Sequence, residues 1–210
     1  MEIINDANDM DSAQRTLRAD AKRNHELLIA SARSVFAELG PDAPLDEIAR
    51  RAGVGIGTLY RHFPTRYDIQ EAVMAVHVRS LIDVAERQMN EPDPAKALEH
   101  WLWHKVERSF EYHGVGAAVW LVMADKPTDY NELCSQLRAH SSALLERAQA
   151  AGAIRSDITY KQLLKMANAI VVATEKSENR EEDIALLFRI MMDGLKLPSA
   201  SQSRSSGAPE

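Results

Sequence analysis

The sequence is poor in the features that mark secreted and membrane-spanning proteins. Its 210 residues include a single cysteine, Cys134, so no disulfide can form within the chain. No apolar run approaches the roughly 18 residues that a membrane-spanning helix needs, and the first residues lack the basic-then-apolar order of a secretory signal. These absences predict a protein of the reducing cytoplasm that does not associate with a membrane.

Strand patterns and catalytic motifs are scarce as well. No sustained two-residue alternation occurs, and there is no glycine-rich phosphate loop, nucleophile elbow or recognisable carboxylate pair. The histidines and Cys134 match no zinc spacing, since only His100 and His104 stand four residues apart. We therefore expect no enzyme activity, no metal and no cofactor, with an all-α enzyme as the alternative from another class.

The charge is distributed unevenly along the chain. The net charge is −6, but residues 13–67 carry nine Lys or Arg against six Asp or Glu, a balance of +3. Residues 1–12 contribute −4 and residues 68–210 contribute −5. A basic segment attached to an acidic body indicates one local surface for a polyanion such as DNA.

Apolar residues recur at helical spacing about nine times, which predicts an all-α fold of about nine helices. A first helix of about 20 residues ends at Gly40-Pro41, and short helices follow Pro44 and run from Ile56 to His62. Thr65 is the expected N-cap of a long helix that ends near Asn90. The remaining helices are expected at about 95–112, 115–125, 129–151, 160–177 and 181–195.

The same patterns divide the chain into four parts. Residues 1–17 are expected to form a flexible arm, and residues 18–66 a DNA-binding domain. Residues 67–197 are expected to form a regulatory and dimerisation domain. Residues 198–210 are rich in Ser, Pro and Gly and are expected to be disordered.

The most informative segment runs from Leu45 to Phe63. Two helices of about two turns are joined by a short turn containing Gly53 and Gly55, which is the helix-turn-helix plan. Its second helix enters the major groove of DNA. Leu59 and Phe63 share one face and are expected to anchor that helix. This leaves polar side chains suited to bases and phosphates on the other side: Thr58, Tyr60, Arg61 and His62.

Over residues 18–75 the sequence resembles the TetR/AcrR family of transcriptional regulators. The resemblance lies in three segments, Ala32-Arg-Ser-Val-Phe-Ala-Glu-Leu-Gly40, Asp46-Glu-Ile-Ala-Arg-Arg-Ala-Gly-Val54 and Gly57-Thr-Leu-Tyr-Arg-His-Phe-Pro-Thr-Arg66. It implies an Ω-shaped homodimer with N-terminal three-helix DNA-binding heads on a palindromic operator. It also implies a helical body that binds a small-molecule effector, with repression as the common mode. A purely architectural DNA-binding protein is a further alternative.

The resemblance also implies roles for individual residues in DNA binding. Positions that match DNA contacts of the family are Arg18, Lys22, Arg23, Gly57, Thr58, Tyr60, His62 and Arg66. Ile56 and Gly55 depart from the family pattern, since a polar residue and a Ser cap are frequent there. For Tyr60, packing in the core is the alternative to a DNA contact. For Arg50 and Arg51, a solvated face is favoured over phosphate contact.

The last two helices are apolar around more than one stripe, which indicates burial on more than one side. One side is expected to form a four-helix dimer interface, with a monomer core as the alternative. The residues assigned to that interface are Ala167, Ile170, Ala173, Leu187 and Met191.

All three tryptophans fall between residues 101 and 120. Large aromatic residues beside a few polar groups can line a cavity for an apolar or aromatic effector, although core packing explains the same spacing. The residues assigned to the effector site are Trp101, His104, Phe110, Trp120, Met123 and Asn168. The identity of the effector and the operator sequence do not follow from these patterns.

Overall fold

The computed structural model describes residues 3–112, 115 and 129–197, with side chains from residue 15 onward except at Asp129. The described residues form eight α-helices, one short 3-10 helix and no strand, which confirms the all-α prediction. The helices are α1 (Ile3–Leu39), α2 (Leu45–Arg51), α3 (Ile56–His62), α4 (Arg66–Gln88), α5 (Pro94–Ser109), α6 (Asp129–Ala150), α7 (Tyr160–Thr174) and α8 (Arg180–Leu195). Among them, no helix is both long and apolar enough to cross a membrane.

The first helix is longer than the sequence analysis predicts. It begins at Ile3 and has 37 residues, so the expected flexible arm is helical from its third residue. The segment from Ile3 to Asn24 contains neither Gly nor Pro, and four alanines favour the helix. Because nothing interrupts the hydrogen-bond ladder, a helix that nucleates near the core continues toward the N-terminus.

The described residues fall into two compact units. Residues 3–76 with residues 111, 112 and 115 form the first unit, and residues 77–110 with residues 129–197 form the second. The division therefore falls inside α4, between Val76 and His77. The assignment of separate functions to residues 18–66 and 67–197 stays a prediction.

The core of the first unit is built from the apolar faces of α1 to α4. Its buried residues include Leu28, Ala32, Val35, Phe36, Ile48, Leu59, Phe63, Ile69 and Val73. Gly40, with φ of +84°, follows α1, and the Gly40 N–H donates to the Phe36 carbonyl at 2.9 Å. This left-handed glycine ends α1 where the sequence predicts.

The second unit is a bundle of helices around one apolar cluster. The Asp93 carboxylate caps α5 by accepting from the N–H groups of Ala95 and Lys96. Thr159 and Gln162 form a capping box at the start of α7. Trp101 is buried on α5, and its indole N–H donates to the Leu81 carbonyl at 3.1 Å. These caps fix where the helices begin, and the tryptophan ties α5 to α4.

Candidate functional site

The turn between α2 and α3 is closed by a glycine in the left-handed conformation. Gly53 has φ of +70°. Its N–H donates to the Arg50 carbonyl at 3.2 Å, and the Val54 N–H donates to the Ala49 carbonyl at 3.0 Å. This pair of bonds is a Schellman motif, which satisfies the last carbonyls of a helix. Because residues with a Cβ rarely adopt this φ, the glycine directs the chain from α2 into α3.

The helix α3 is held by its apolar face. Leu59 and Phe63 are buried, and so are Ile48 and Ala49 on α2. The helices α2 and α3 pack against each other, and α2 also packs against α1. The anchoring role predicted for Leu59 and Phe63 is therefore confirmed, and the opposite face of α3 is left to solvent.

The outer face of α3 carries a group of exposed residues. Tyr60 is 50% exposed, and Ile56 is exposed on the preceding turn. Gly57 and Arg61 are exposed as well. The exposure of Tyr60 favours an outward role for its ring and hydroxyl over the alternative of core packing. Aromatic, guanidinium and backbone groups thus share one solvent-facing surface that a DNA groove can accommodate.

Two predicted DNA contacts are joined to each other. The Arg61 guanidinium donates to Oγ1 of Thr58 at 2.8 Å, across one helical turn. Thr58 is half-buried and Arg61 is exposed. The sequence analysis treats these side chains separately, although their spacing of three residues already allows contact. The hydrogen bond orients the guanidinium along α3.

His62 lies against α1. Its ring centroid is 5.8 Å from that of His25 and 6.3 Å from that of Phe63, and the His25 ring stacks on Phe63 at 4.8 Å. Burial lowers the pKa of His25 below its usual range, and the neighbouring His62 lowers it further. Sequence reasoning missed His25, because no short spacing relates it to His62. The pair fixes the end of α3 on α1, and a DNA contact by His62 stays a prediction.

Arg66, the first residue of α4, is engaged by the loop before α2. Its guanidinium donates to the Ala43 carbonyl and, at 3.2 Å, to the Pro41 carbonyl. The Gln70 amide donates to the same Pro41 carbonyl at 2.8 Å. The sequence analysis assigns Arg66 to a phosphate, and the structure gives it a second task, which is to hold the loop between α1 and α2.

The predicted cap of α4 is confirmed. The Asp68 carboxylate accepts from the backbone N–H of Thr65 at 2.7 Å and from its hydroxyl at 2.8 Å. The Asp68 N–H donates back to Oγ1 of Thr65 at 3.2 Å. This reciprocal arrangement fixes the angle at which the chain leaves α3.

The arginines of α2 are paired with acids. Arg50 and Arg51 both donate to Glu47 at 2.7 Å, and Arg51 also donates to Glu38 at 2.7 Å. The hydrogen bonds from Arg50 and then Arg51 lower the pKa of Glu47 to about 2. These pairs supply charge balance within the protein, in keeping with the solvated face that the sequence favours.

The basic residues of α1 assigned to DNA are all exposed. Arg18, Lys22 and Arg23 occupy successive turns of the helix. The Lys22 ammonium lies 3.9 Å from the Glu26 carboxylate in an exposed pair, which is weak in water. The helix therefore presents positive charge before the core of the first unit begins.

The residues assigned to an effector do not form one group. Trp101 is 1% exposed and lies in the packed core of the second unit, so it presents almost no surface to a ligand. Phe110 lies in a groove of about 400 Å³ shared with Trp103, and Arg180 stands 5.3 Å above its ring. Trp120 and Met123 lie outside the described residues. The remaining pair, His104 and Asn168, belongs to a different set of side chains.

That set is a cluster of basic side chains, which we call the basic cluster: His77, His104, Lys105 and Arg108. Lys105 donates to Oδ1 of Asn168, and burial lowers its pKa to about 8. Burial lowers the pKa of His77 to about 3, with contributions from Lys105, Arg108 and His104. Three of the four, all but His104, were missed, although their bases stand within one turn of α5.

The residues assigned to a dimer interface differ in accessibility. Ala167, Ile170 and Met191 are buried in the core of the single chain, so they present little surface to a second copy. Leu187 is half-buried and Ala173 is exposed. The apolar side chains that α7 and α8 expose are Met166, Val172, Leu186 and Ile190. The predicted interface helices thus do have an exposed apolar side, in a different register from most of the predicted residues.

Metal chemistry finds no support in the described part of the chain. There, no group of three or more His, Cys, Asp or Glu is placed to hold a metal ion.

Two family models match the chain. Residues 28–73 match "Bacterial regulatory proteins, tetR family", and residues 93–197 match "Transcriptional regulator SbtR-like, C-terminal domain". The first match covers the helix-turn-helix, and the second covers α5 to α8.

Known proteins give the same result. The TetR transcriptional regulator SCO0520 from Streptomyces coelicolor is 34% identical, with a TM-score of 0.64 over 84% of this chain and 99% of that one. The HTH-type regulator TtgW from Pseudomonas putida is 44% identical over 62 residues, which are 29% of this chain and only 46% of that protein. RolR, solved in complex with resorcinol, is 20% identical with a TM-score of 0.54 over 92% of this chain and 98% of that one, a likeness of fold alone. The chain therefore belongs to the TetR family of bacterial transcriptional regulators.

Proposed function

We propose that this chain binds a palindromic operator as a homodimer, through the outer face of α3, and represses transcription there until an effector releases it. The observation that carries the proposal is the division of α3 into two faces. Leu59 and Phe63 fix the helix to the first unit, while Tyr60 and the Thr58–Arg61 pair face solvent. Such a helix can enter a major groove without rearrangement of its own core.

The contacts with DNA divide into two kinds. Tyr60, Arg61 and Thr58 carry groups that discriminate between base edges, and such contacts give sequence preference. Lys22 and its exposed neighbours on α1 carry charge for the phosphates, which gives affinity for any sequence and dependence on salt. The basic balance of residues 13–67 supports this second contribution.

The exposed apolar residues of α7 and α8 support a dimer. Val172 is 68% exposed and Ile190 is 57% exposed. Met166 and Ile190 also line a groove of about 670 Å³ between the two helices. An exposed apolar surface of this kind is costly in water, and a second copy placed on it by a twofold axis would bury it. The same axis would give the dimer the symmetry of a palindrome.

Release by an effector requires a ligand that prefers a state unable to bind DNA. Resorcinol in the RolR complex shows that a protein of this fold accommodates a small polar aromatic compound. In this chain the side chains suited to a polar ligand are those of the basic cluster with Asn168. By linkage, operator DNA must weaken effector binding by the same factor by which the effector weakens operator binding.

The test is footprinting of the purified protein on the DNA that flanks its own gene, followed by fluorescence anisotropy on the protected site. We expect protection of an inverted repeat, and preference for it over a scrambled duplex by a factor of about 10³ or more. Equal affinity for the repeat and the scrambled duplex would contradict specific recognition. Tight binding by a species that sediments as a monomer would contradict the dimer.

A further inference from the structure

The second unit gathers four basic side chains from two helices. His77 belongs to α4, and His104, Lys105 and Arg108 belong to one turn and a half of α5. His77 is buried, and Nε2 of His104 and Nε of Arg108 are shielded from solvent. Lys105 is partly buried and reaches Asn168 on α7. The cluster thus lies between helices of the bundle rather than on its outer surface.

Gathering like charges away from water costs free energy. The charged neighbours that lower the pKa of His77 are Lys105, Arg108 and His104, and all three are basic. The pKa of Lys105 is lowered to about 8 by burial. The arrangement therefore disfavours its own charged forms, and an anion placed among these groups would reverse that penalty.

The chemistry of these side chains indicates which anion fits. A guanidinium offers paired N–H donors that match the two oxygens of a carboxylate. An ammonium and an imidazole add charge-assisted donors. The Asn168 amide, already held by Lys105, stands beside them. Apolar core residues of α5 and α7, such as Val106 and Ala167, occupy neighbouring positions in the sequence, so the ligand's remainder can be apolar.

We propose that the basic cluster is the binding site for the carboxylate group of the effector, which is an organic acid with an apolar body. The inference rests on the proposed function, because it names the chemical class of the compound that releases the regulator. It goes beyond the aromatic character that the sequence suggests, since it makes the charged end of the ligand the recognised feature.

Matched pairs of compounds test the proposal on the full-length protein. Benzoate is compared with benzamide and octanoate with octanamide, by thermal unfolding at constant ionic strength. We expect at least one carboxylate to raise the unfolding temperature and to bind about tenfold more tightly than its amide. Lys105→Met should abolish that preference, whereas Lys161→Met, which removes an exposed lysine of α7, should preserve it. Equal effects of acid and amide, no effect of either acid, or equal loss in both variants would overturn the proposal. A response to inorganic phosphate but to neither acid would overturn the assignment to carboxylates.

A second measurement needs no ligand. If Lys105 serves a ligand, Lys105→Met removes a partly buried cation from among other cations, and the ligand-free variant should unfold at a higher temperature than the wild type. If Lys105 serves only to tie α5 to Asn168, the variant should unfold at a lower temperature, and that result would overturn the proposal.

The outcomes separate this inference from the proposed function. Thermal unfolding with carboxylates requires no DNA, so it stands whether or not an operator is found. Conversely, a protein that binds a palindromic site but shows no preference for acids keeps its proposed function and loses the carboxylate site.

Discussion

The Arg61 guanidinium donates a 2.8 Å hydrogen bond to Oγ1 of Thr58, one turn earlier on α3. Thr58→Val keeps the shape of the side chain and removes the acceptor. We expect operator affinity to fall by about 1 kcal/mol, because the guanidinium loses its fixed direction, while affinity for scrambled DNA stays unchanged. Anisotropy titrations on both duplexes measure this. Arg50→Ala, which breaks an exposed pair on α2, is the control. Unchanged selectivity in Thr58→Val would show that the bond plays no part in recognition.

Two glycines separate folding from DNA binding. Gly53→Ala forces a Cβ into φ of +70° and should destabilise the protein by about 1 kcal/mol. Gly57 lies inside α3 with open space around it, so Gly57→Ala should leave the protein as stable or make it slightly more so. If the backbone at Gly57 approaches DNA as predicted, this variant should still lose operator affinity. Urea unfolding and anisotropy give the two readouts. Full operator affinity in Gly57→Ala would remove the predicted approach.

Lys22 and Arg66 are both assigned to phosphates, but only Arg66 holds a loop. Lys22→Ala should lower affinity for all DNA and reduce the salt dependence by about one phosphate contact, with unchanged stability. Arg66→Ala should also lower the free energy of unfolding by roughly 1–3 kcal/mol, because two carbonyls lose a charged donor. Measurements of log K against log salt and of urea unfolding distinguish them. Equal stability of the two variants would contradict the structural role of Arg66.

A charge on the exposed side of α8 tests the dimer. Ile190→Glu should yield monomers in sedimentation velocity, because a carboxylate would be buried against a second copy. Operator affinity should collapse with it, since a single head reads one half-site. Met89→Glu places the same charge at an exposed apolar residue after α4 and should leave the assembly intact. Dissociation by both variants would point to general instability, and by neither to an interface elsewhere.

His77 makes stability depend on pH. Its pKa in the folded protein is about 3, against 6.5 ordinarily, because burial and neighbouring cations disfavour the charged form. The unfolded chain therefore takes up the proton first as the pH falls. From this group alone, the free energy of unfolding should decrease by about 1.4 kcal/mol per pH unit between the two pKa values, and should be independent of pH above them. His77→Gln should flatten the dependence measured by urea unfolding from about pH 7 to about pH 5. His100→Gln, at an exposed position, should leave it unchanged, and an equally steep slope in His77→Gln would disprove the assignment.

Local signals explain what the sequence predicts well. The left-handed Gly53, the Thr65 cap and the buried pair Leu59 and Phe63 depend on residues within a few positions of one another, where spacing determines geometry. The stacking of His25 on Phe63 and the bonds from Arg66 to the loop before α2 join residues far apart in the chain. Periodicity contains no information about such contacts.

The body shows the same limit in another form. Helices α7 and α8 are apolar on more than one side, so the pattern alone does not separate the side that faces the chain's own core from the side that faces outward. Ala167 and Ile170 prove to face inward, whereas Val172 faces outward. The start of α1 could not be placed either, because a segment without Gly or Pro carries no mark of where its helix begins.

The separation of the two faces of α3 makes operator preference a property that can be rewritten. Ile56 and Tyr60 can be exchanged for other side chains without disturbing Leu59, on which the fold of the first unit depends. Thr58 and Arg61 should be exchanged together, because either one alone leaves its partner without a counterpart. Libraries restricted to these four positions would therefore yield folded regulators with new target sites, while the effector response stays with the body.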